Sequence, residues 1–276
     1  MTPLITANQL EEMINSGENV LICDCRFDLV DPLAGRKTYL EGHIPGALYV
    51  DLDHDLSGEK TGKNGRHPLP TPEAWAKTKS RLGFDSNTLV IAYDNQGSVY
   101  ASRLWWMLKA TGHANVQVLD GGLDAWNGPI GTLPREANPT TTPVPTMPYV
   151  GLVTVEEVVH NLQAKTNVIV DARANDRFHG QNETLDPVGG HIPDAINYCF
   201  RENLSRKSFK TPEQLFKDFV ELLGSNKASD VIHQCGSGVT ACHNLLAMEI
   251  AGLKGSRVYA GSWSEWCADP SRPVAL

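Results

Sequence analysis

The chain is short of several features that would point to particular function classes. No apolar run approaches the ~20 residues that a membrane-spanning helix needs, so no membrane association is expected. The N-terminus, Met1-Thr2-Pro3-Leu4-Ile5-Thr6, has no basic stretch followed by a long apolar core, so no secretory signal is expected either. Positive charge is in deficit: 24 Lys and Arg face 32 Asp and Glu, a formal net charge of -8. That excludes a general nucleic-acid or anionic-membrane binder but leaves room for a local basic pocket. The six cysteines, Cys23, Cys25, Cys199, Cys235, Cys242 and Cys267, form no paired framework. Cys23-Asp24-Cys25 and Cys242-His243 both lack the second pair a zinc site needs. Reduced thiols in the cytoplasm are expected, with no metal and no cofactor. The remaining composition, 41% hydrophobic and 20% charged over 276 residues, is that of an ordinary globular chain of one large or two medium domains.

An internal repeat is the main feature present. Asp24-Cys25-Arg26 returns as Asp171-Ala172-Arg173, and Gly42-His43-Ile44-Pro45 as Gly190-His191-Ile192-Pro193. Thr71-Pro72-Glu73 returns as Thr211-Pro212-Glu213, and Gly121-Gly122-Leu123-Asp124-Ala125-Trp126 as Gly261-Ser262-Trp263-Ser264-Glu265-Trp266. The four matches keep their order at offsets of 140–148 residues, which predicts two copies of one domain. Residues 136–148, with four prolines and four threonines, read as an extended linker between copies at 1–135 and 149–276. In each copy short apolar runs alternate with amphipathic stretches. The first reads as helices near 8–16, 71–82 and 102–111 and strands near 20–23, 88–93 and 116–119. The second reads as helices near 155–162, 212–223 and 239–251 and strands near 168–170, 231–234 and 257–259. This is an α/β pattern: two tandem domains, each a parallel sheet with helices on both faces.

Chemistry is expected at His233-Gln234-Cys235-Gly236-Ser237-Gly238-Val239-Thr240, where a strand passes through a glycine-bearing loop into a helix. Ligands in such sheets sit at the carboxyl ends of strands. Loop N–H groups and a helix N-terminus there would favour the thiolate, the nucleophilic form. Residues present in both copies read as scaffold: His43 and His191, Arg26 and Arg173, with the tryptophans as core. Cys242 reads as packed, and Arg103 either as a cation that approaches the cleft or as one on a helix surface. Arg177 has no counterpart in the first copy, which favours function.

Gly-His-Ile-Pro in both copies, the Cys235 loop and Tyr259-Ala260-Gly261-Ser262-Trp263 together resemble the tandem rhodanese-type sulfurtransferases. The resemblance implies two rhodanese-like domains with only the C-terminal one active. Asp94 stands 141 positions before Cys235 and cannot carry a persulfide, so the first copy should be silent. Cys-Gly-Ser-Gly-Val-Thr is similar to the loop of the 3-mercaptopyruvate branch. Thiosulfate enzymes usually carry Arg and Lys where Gly236 and Ser237 stand, and a neutral loop suits a carboxylate donor.

The resemblance further implies Arg177 as the substrate-carboxylate ligand, with Gly236, Gly238, Val239 and Thr240 lining the site. It also implies a Ser237–His67–Asp53 proton relay, whose last two members would place the site between the domains. A second substrate arginine, usual a few residues after Arg177, is missing from Glu183-Thr184-Leu185-Asp186-Pro187. The implied partners are a small sulfur donor and a thiol or cyanide acceptor, such as a thioredoxin. Thiosulfate sulfurtransferase is the alternative, and a non-catalytic sulfur-sensing module a further one that the retained cysteine disfavours. Phosphatase chemistry is excluded, because the residue six after Cys235 is Ala241 rather than the arginine that cradles a phosphoryl group.

Overall fold

The computed structural model describes residues 2–276. They form two compact units: unit 1 comprises residues 2–58, Pro70–Val150 and Arg206–Phe209, and unit 2 comprises Glu59–Leu69, Gly151–Ser205 and Lys210–Leu276. In chain order the elements are β1 (Leu4–Ile5), α1 (Ala7–Ser16), β2 (Val20–Asp24), α2 (Ala34–Glu41), β3 (Leu48–Tyr49), α3 (Pro72–Leu82), β4 (Leu89–Tyr93), α4 (Ala101–Ala110), β5 (Val116–Leu119) and α5 (Gly122–Ala125). There follow β6 (Leu152–Val153), α6 (Val155–Ala164), β7 (Val168–Asp171), α7 (Asn175–Phe178), β8 (Ile196–Asn197), β9 (Leu204–Ser205), β10 (Ser208–Phe209), α8 (Pro212–Leu223), β11 (Val231–Gln234), α9 (Thr240–Ile250), β12 (Arg257–Tyr259) and α10 (Ser262–Trp266).

Each unit is built on a five-stranded parallel sheet flanked by helices, ordered β1-β5-β4-β2-β3 in unit 1 and β6-β12-β11-β7-β8 in unit 2. The central strands are therefore β4 and β11. A central parallel strand is covered on both faces, which is why both are buried almost throughout. Helix starts follow from sequence: Thr6, Thr154 and Thr211 each cap a helix whose third residue, Gln9, Glu157 or Gln214, reaches back to the cap's own N–H. Matching cores of Ile22, Ile91 and Trp126 in unit 1 and Ile169, Ile232 and Trp266 in unit 2 repeat the sequence repeat in three dimensions.

The repeated arginines and histidines brace these sheets. Arg173 donates from Nε and Nη2 to both oxygens of Asp171 at 2.7–3.1 Å, and from Nη2 to the Gly190 carbonyl at 2.7 Å. Arg26 repeats this with Asp24 and Gly42. His191 Nδ1 meets the Phe178 carbonyl at 2.9 Å, and His43 Nδ1 meets that of Tyr39 at 2.6 Å.

Three details depart from the sequence reading. Helix α2 goes unanticipated because its first turn lacks a capping side chain. It also contains Gly35, where a Cβ would strike the Arg26 carbonyl, so close packing keeps a poor helix former there. Arg103 is fully buried rather than on a surface, and donates to the Leu56 carbonyl at 3.4 Å. Residues 136–148 hold no regular element, yet Thr140 N–H donates to the Ser80 carbonyl at 2.8 Å, so the stretch is partly tied down.

The Asp171–Arg173 pair yields a test. Asp171→Ala leaves a buried guanidinium without its hydrogen-bonded carboxylate and with only Glu183, at 3.6 Å, as counter-charge, which costs about 3 kcal/mol. Urea unfolding should show that loss. A change below about 1 kcal/mol, the usual size for an exposed pair, would mean that the pair does not brace the unit.

Candidate active site

Cys235 lies directly after β11, on the turn into α9. It is 2% exposed, so its sulfur sits at the floor of the loop. Gly238 N–H donates to Sγ at 3.1 Å. Gly238 has φ +76°, and a Cβ there would collide with the Ala260 carbonyl. Only glycine gives this turn both its conformation and its clearance. Val239 is buried at the helix N-cap and Thr240 is the first residue of α9. Cys242 is also buried, its thiol 3.3 Å from the Gly238 carbonyl, in the packed role expected of it.

Ser262 anchors the loop from outside, a role that its place in the repeat and in the Tyr259–Trp263 segment does not reveal. Its Oγ accepts the Cys235 N–H at 3.0 Å, donates to the Tyr259 carbonyl at 2.9 Å and lies 4.0 Å from Sγ. Its φ is +56°, a strained value for a residue with a Cβ. The matching residue of unit 1 is Gly122, at φ +58°. Unit 2 thus holds a serine where its twin has the unstrained choice.

The corresponding loop of unit 1 is filled by Asp94. Its Oδ1 accepts N–H groups of Gln96 and Ser98 at 2.9 Å, and its Oδ2 those of Tyr100 and Ala101 at 2.8 and 3.0 Å. Burial pushes this carboxyl up, against the pull of those four N–H groups. The loop is thus a ring of main-chain donors closed around one acceptor side chain.

Cations stand over the unit 2 loop. A Cβ on Gly236 would lie 2.8 Å from Arg66 Nη2 and 3.7–3.8 Å from the two terminal nitrogens of Arg177. Arg177 donates from Nε and Nη2 to Glu183 at 2.8–3.1 Å. Arg66 pairs through Nη1 with Asp186, whose other oxygen is 3.5 Å from Arg177 Nη2. Arg66 was missed in the sequence. The available signal was its place in Gly65-Arg66-His67-Pro68, beside a residue already under consideration. A loop without charged residues therefore does not make a site without cations. Burial would raise the Glu183 carboxyl, but the Arg177 hydrogen bond and ion pair and the Leu185 and Asp186 N–H groups prevail and hold it below the ordinary glutamate value.

His67 Nδ1 and Ser237 Oγ are 2.8 Å apart, both buried. His67 and Arg66 belong to the segment Glu59–Leu69, which packs in unit 2 with Cys235. Asp53 belongs to unit 1, where its N–H donates to Asp51 Oδ1 at 2.8 Å. Unit 2 therefore brings together Cys235, Gly236, Ser237, Gly238, Val239, Thr240, His67 and Arg177. The arrangement can hold a sulfur nucleophile among N–H donors beside two guanidiniums suited to an anion.

Fold and loop define a sulfurtransferase built from two rhodanese-like domains, and the chain belongs to that family: its residues 6–129 and 154–269 both match the rhodanese-like domain. It is 42% identical over 277 residues, 99% of this chain and 97% of the relative, to a probable 3-mercaptopyruvate sulfurtransferase of Pseudomonas aeruginosa. It is 36% identical over 282 residues, 98% and 96% of the two chains, to a putative thiosulfate sulfurtransferase of Mycobacterium tuberculosis. Among solved structures it resembles a 3-mercaptopyruvate sulfotransferase of Escherichia coli, with TM-score 0.80 and 30% identity over 95% of this chain and 99% of that one. No helix among the described residues is long and apolar enough to cross a membrane.

Two tests follow from this geometry. Ser262→Ala keeps the strained backbone and strands the buried Cys235 N–H, which costs about 1–3 kcal/mol. Ser262→Gly loses the same bond but relieves the strain, so urea unfolding should place it between wild type and Ser262→Ala. A glycine variant no more stable than the alanine one would show that no strain is stored there. The second test concerns pH. A carboxyl held below its unfolded value contributes stability in full above that value, 4.5 for glutamate, and loses it as pH falls through the folded value. Glu183→Gln should therefore flatten the decline of stability below pH 4.5. A decline as steep as wild type would remove Glu183 from the acid response.

Proposed function

We propose that the chain transfers sulfane sulfur from 3-mercaptopyruvate, through a persulfide on Cys235, to a thiol or cyanide acceptor, with release of pyruvate. The observation that carries the sulfur transfer to Cys235 is its sulfur held by the Gly238 N–H next to two guanidiniums over Gly236. In the first half-reaction the Cys235 thiolate attacks the donor sulfur. The S–S bond forms as the C–S bond breaks, and the electron pair leaves on the pyruvate enolate. The enolate takes a proton at carbon. Ser237, hydrogen-bonded to His67, is the group we assign to deliver it, with Asp53 as the third member of the relay. In the second half-reaction an acceptor thiolate attacks the outer sulfur and Cys235 leaves as thiolate. A reduced thioredoxin has the chemistry required of such an acceptor. Splitting the transfer in two lets the loop donors serve each sulfur anion in turn. Arg177 grips the donor carboxylate. Gly236, Val239 and Thr240 shape the pocket around it. The first copy, with Asp94 in the cysteine position, takes no part in the chemistry.

The Pseudomonas aeruginosa relative supports the mercaptopyruvate assignment. Thiosulfate is the second reading. Two cations beside the loop favour it, as does the Mycobacterium tuberculosis relative. Steady-state rates with each donor decide: kcat/KM should be higher for 3-mercaptopyruvate, and a thiosulfate preference would overturn the choice. Mass spectrometry after donor treatment should find one additional sulfur on the Cys235 peptide and none on Cys235→Ser. Sulfur loading onto that variant would move the nucleophile elsewhere. Arg177→Ala removes a charge-assisted contact worth about 1.5–3 kcal/mol, so KM for the carboxylate donor should rise about 10- to 100-fold. An unchanged KM would place the carboxylate at another group.

A further inference from the structure

Two guanidiniums facing one loop ought to attract a dianion more strongly than a monoanion, yet this pair is not electrically bare. Arg66 and Arg177 rest on Asp186 and Glu183, and the neighbouring Arg173 rests on Asp171 and reaches Glu183 at 3.6 Å. The carboxylate side chains of Asp186 and Glu183 are only 3% and 4% exposed, while those of Arg66 and Arg177 are 27% and 21% exposed. The acids therefore lie beneath and the cations above. On the Gly236 side, Arg66 Nη2 and Arg177 Nη1 make no hydrogen bond to any of the described residues, so each has a donor to offer an incoming anion. Asp186 touches both guanidiniums at once, one through each oxygen. It is the only carboxylate of the group that does so, since Glu183 reaches Arg177 but not Arg66.

We propose that Asp186 is the residue that sets donor selectivity, by neutralising one cation of a two-arginine grip formed by Arg66 and Arg177. Arg66 supplies from the Glu59–Leu69 segment the second cation missing from the stretch after Glu183. Asp186 occupies that stretch with the opposite charge. With Asp186 and Glu183 in place the two guanidiniums are balanced. A carboxylate donor then adds one uncompensated charge and can use the two free donors bidentately. Thiosulfate adds two, and its second charge meets Asp186 with no spare cation. Like charges at such distances, partly screened, cost on the order of a few kcal/mol. A cavity of about 500 Å³ borders Arg66 and Asp186, with Lys60, Pro187 and Cys267 on its wall, so the pair is built at an accessible edge rather than in a sealed core.

The inference rests on the anion-binding reading of this site, and its experiment separates the two. Asp186→Asn keeps shape and removes charge. Asp186→Ser removes charge with a different shape. Both should raise the ratio of kcat/KM for thiosulfate to kcat/KM for 3-mercaptopyruvate by about ten-fold or more, the effect of roughly one charge partly screened. Arg66→Ala should raise KM for 3-mercaptopyruvate about ten-fold, the loss of one charge-assisted contact to the carboxylate. Cyanide discharge of persulfide from each variant shows that the Cys235 loop is intact. A ratio within about two-fold of wild type in either neutral variant overturns the selectivity role, since charge alone should act in both. An unchanged KM in Arg66→Ala overturns the two-arginine grip. Should the wild type use thiosulfate only, the donor assignment falls. The charge argument then still requires KM for thiosulfate to drop in both neutral variants, and a constant KM would overturn it as well.

Discussion

Main-chain N–H groups gathered where a central parallel strand turns into a helix need an acceptor, and much of each unit follows from supplying one. Such donors buried without a partner would cost more than most side-chain contacts return. In unit 1 the carboxylate of Asp94 takes four of them. In unit 2 the sulfur of Cys235 takes the Gly238 N–H and the hydroxyl of Ser262 takes that of Cys235 itself. Both turns carry a left-handed glycine, Gly97 and Gly238 at φ +76°, but Ser98 follows at φ +70° where Val239 has φ −87°. The next segment closes it in the same way: Leu123 N–H donates to the Asp94 carbonyl at 2.8 Å, and Trp263 N–H to the Cys235 carbonyl at 2.9 Å. One scaffold therefore accepts either a fixed internal acid or a reactive sulfur. The copies differ in that acceptor, in the loop residues beside it, in the backbone after the shared glycine and in the strain at position 262.

What could be read in the sequence divides along the same line. The repeat, the capped helices, the central strands and the Cys235 loop are local patterns, and each is found where periodicity and turn chemistry put it. The buried Asp-Arg pairs were legible as scaffold because both copies keep them. Arg66 was not legible, because nothing near it in the chain shows that a loop 170 positions later will lie beneath its guanidinium. Helix α2 was hidden by Gly35, whose presence answers to a contact with Arg26 rather than to helix propensity. Arg103 carried the signature of a surface cation and is buried, because its partners come from distant segments. Asp186 was visible only as a residue that was not arginine. Its meaning depends on the two guanidiniums that it touches.

In the proposed reaction, negative charge moves between the two kinds of anion receptor that unit 2 provides. It begins on the Cys235 sulfur, beside the Gly238 N–H. As the donor's C–S bond breaks it passes to the enolate, toward Arg66 and Arg177. The total charge in the site is unchanged, so little is asked of the surroundings except that both receptors be prepared in advance. Fixed donors meet that condition better than mobile ones. The loop is held by glycine geometry and by Ser262, and the guanidiniums are held from below by Glu183 and Asp186. The same acids limit how strongly the arginines bind before the bond breaks. A grip too strong in the ground state would lower KM without helping the chemical step. Balanced arginines favour the state in which the enolate has brought a further charge to them. The buried carboxylates beneath the site thus fit a catalyst better than a simple anion trap, and they tie donor choice to the rate of sulfur transfer.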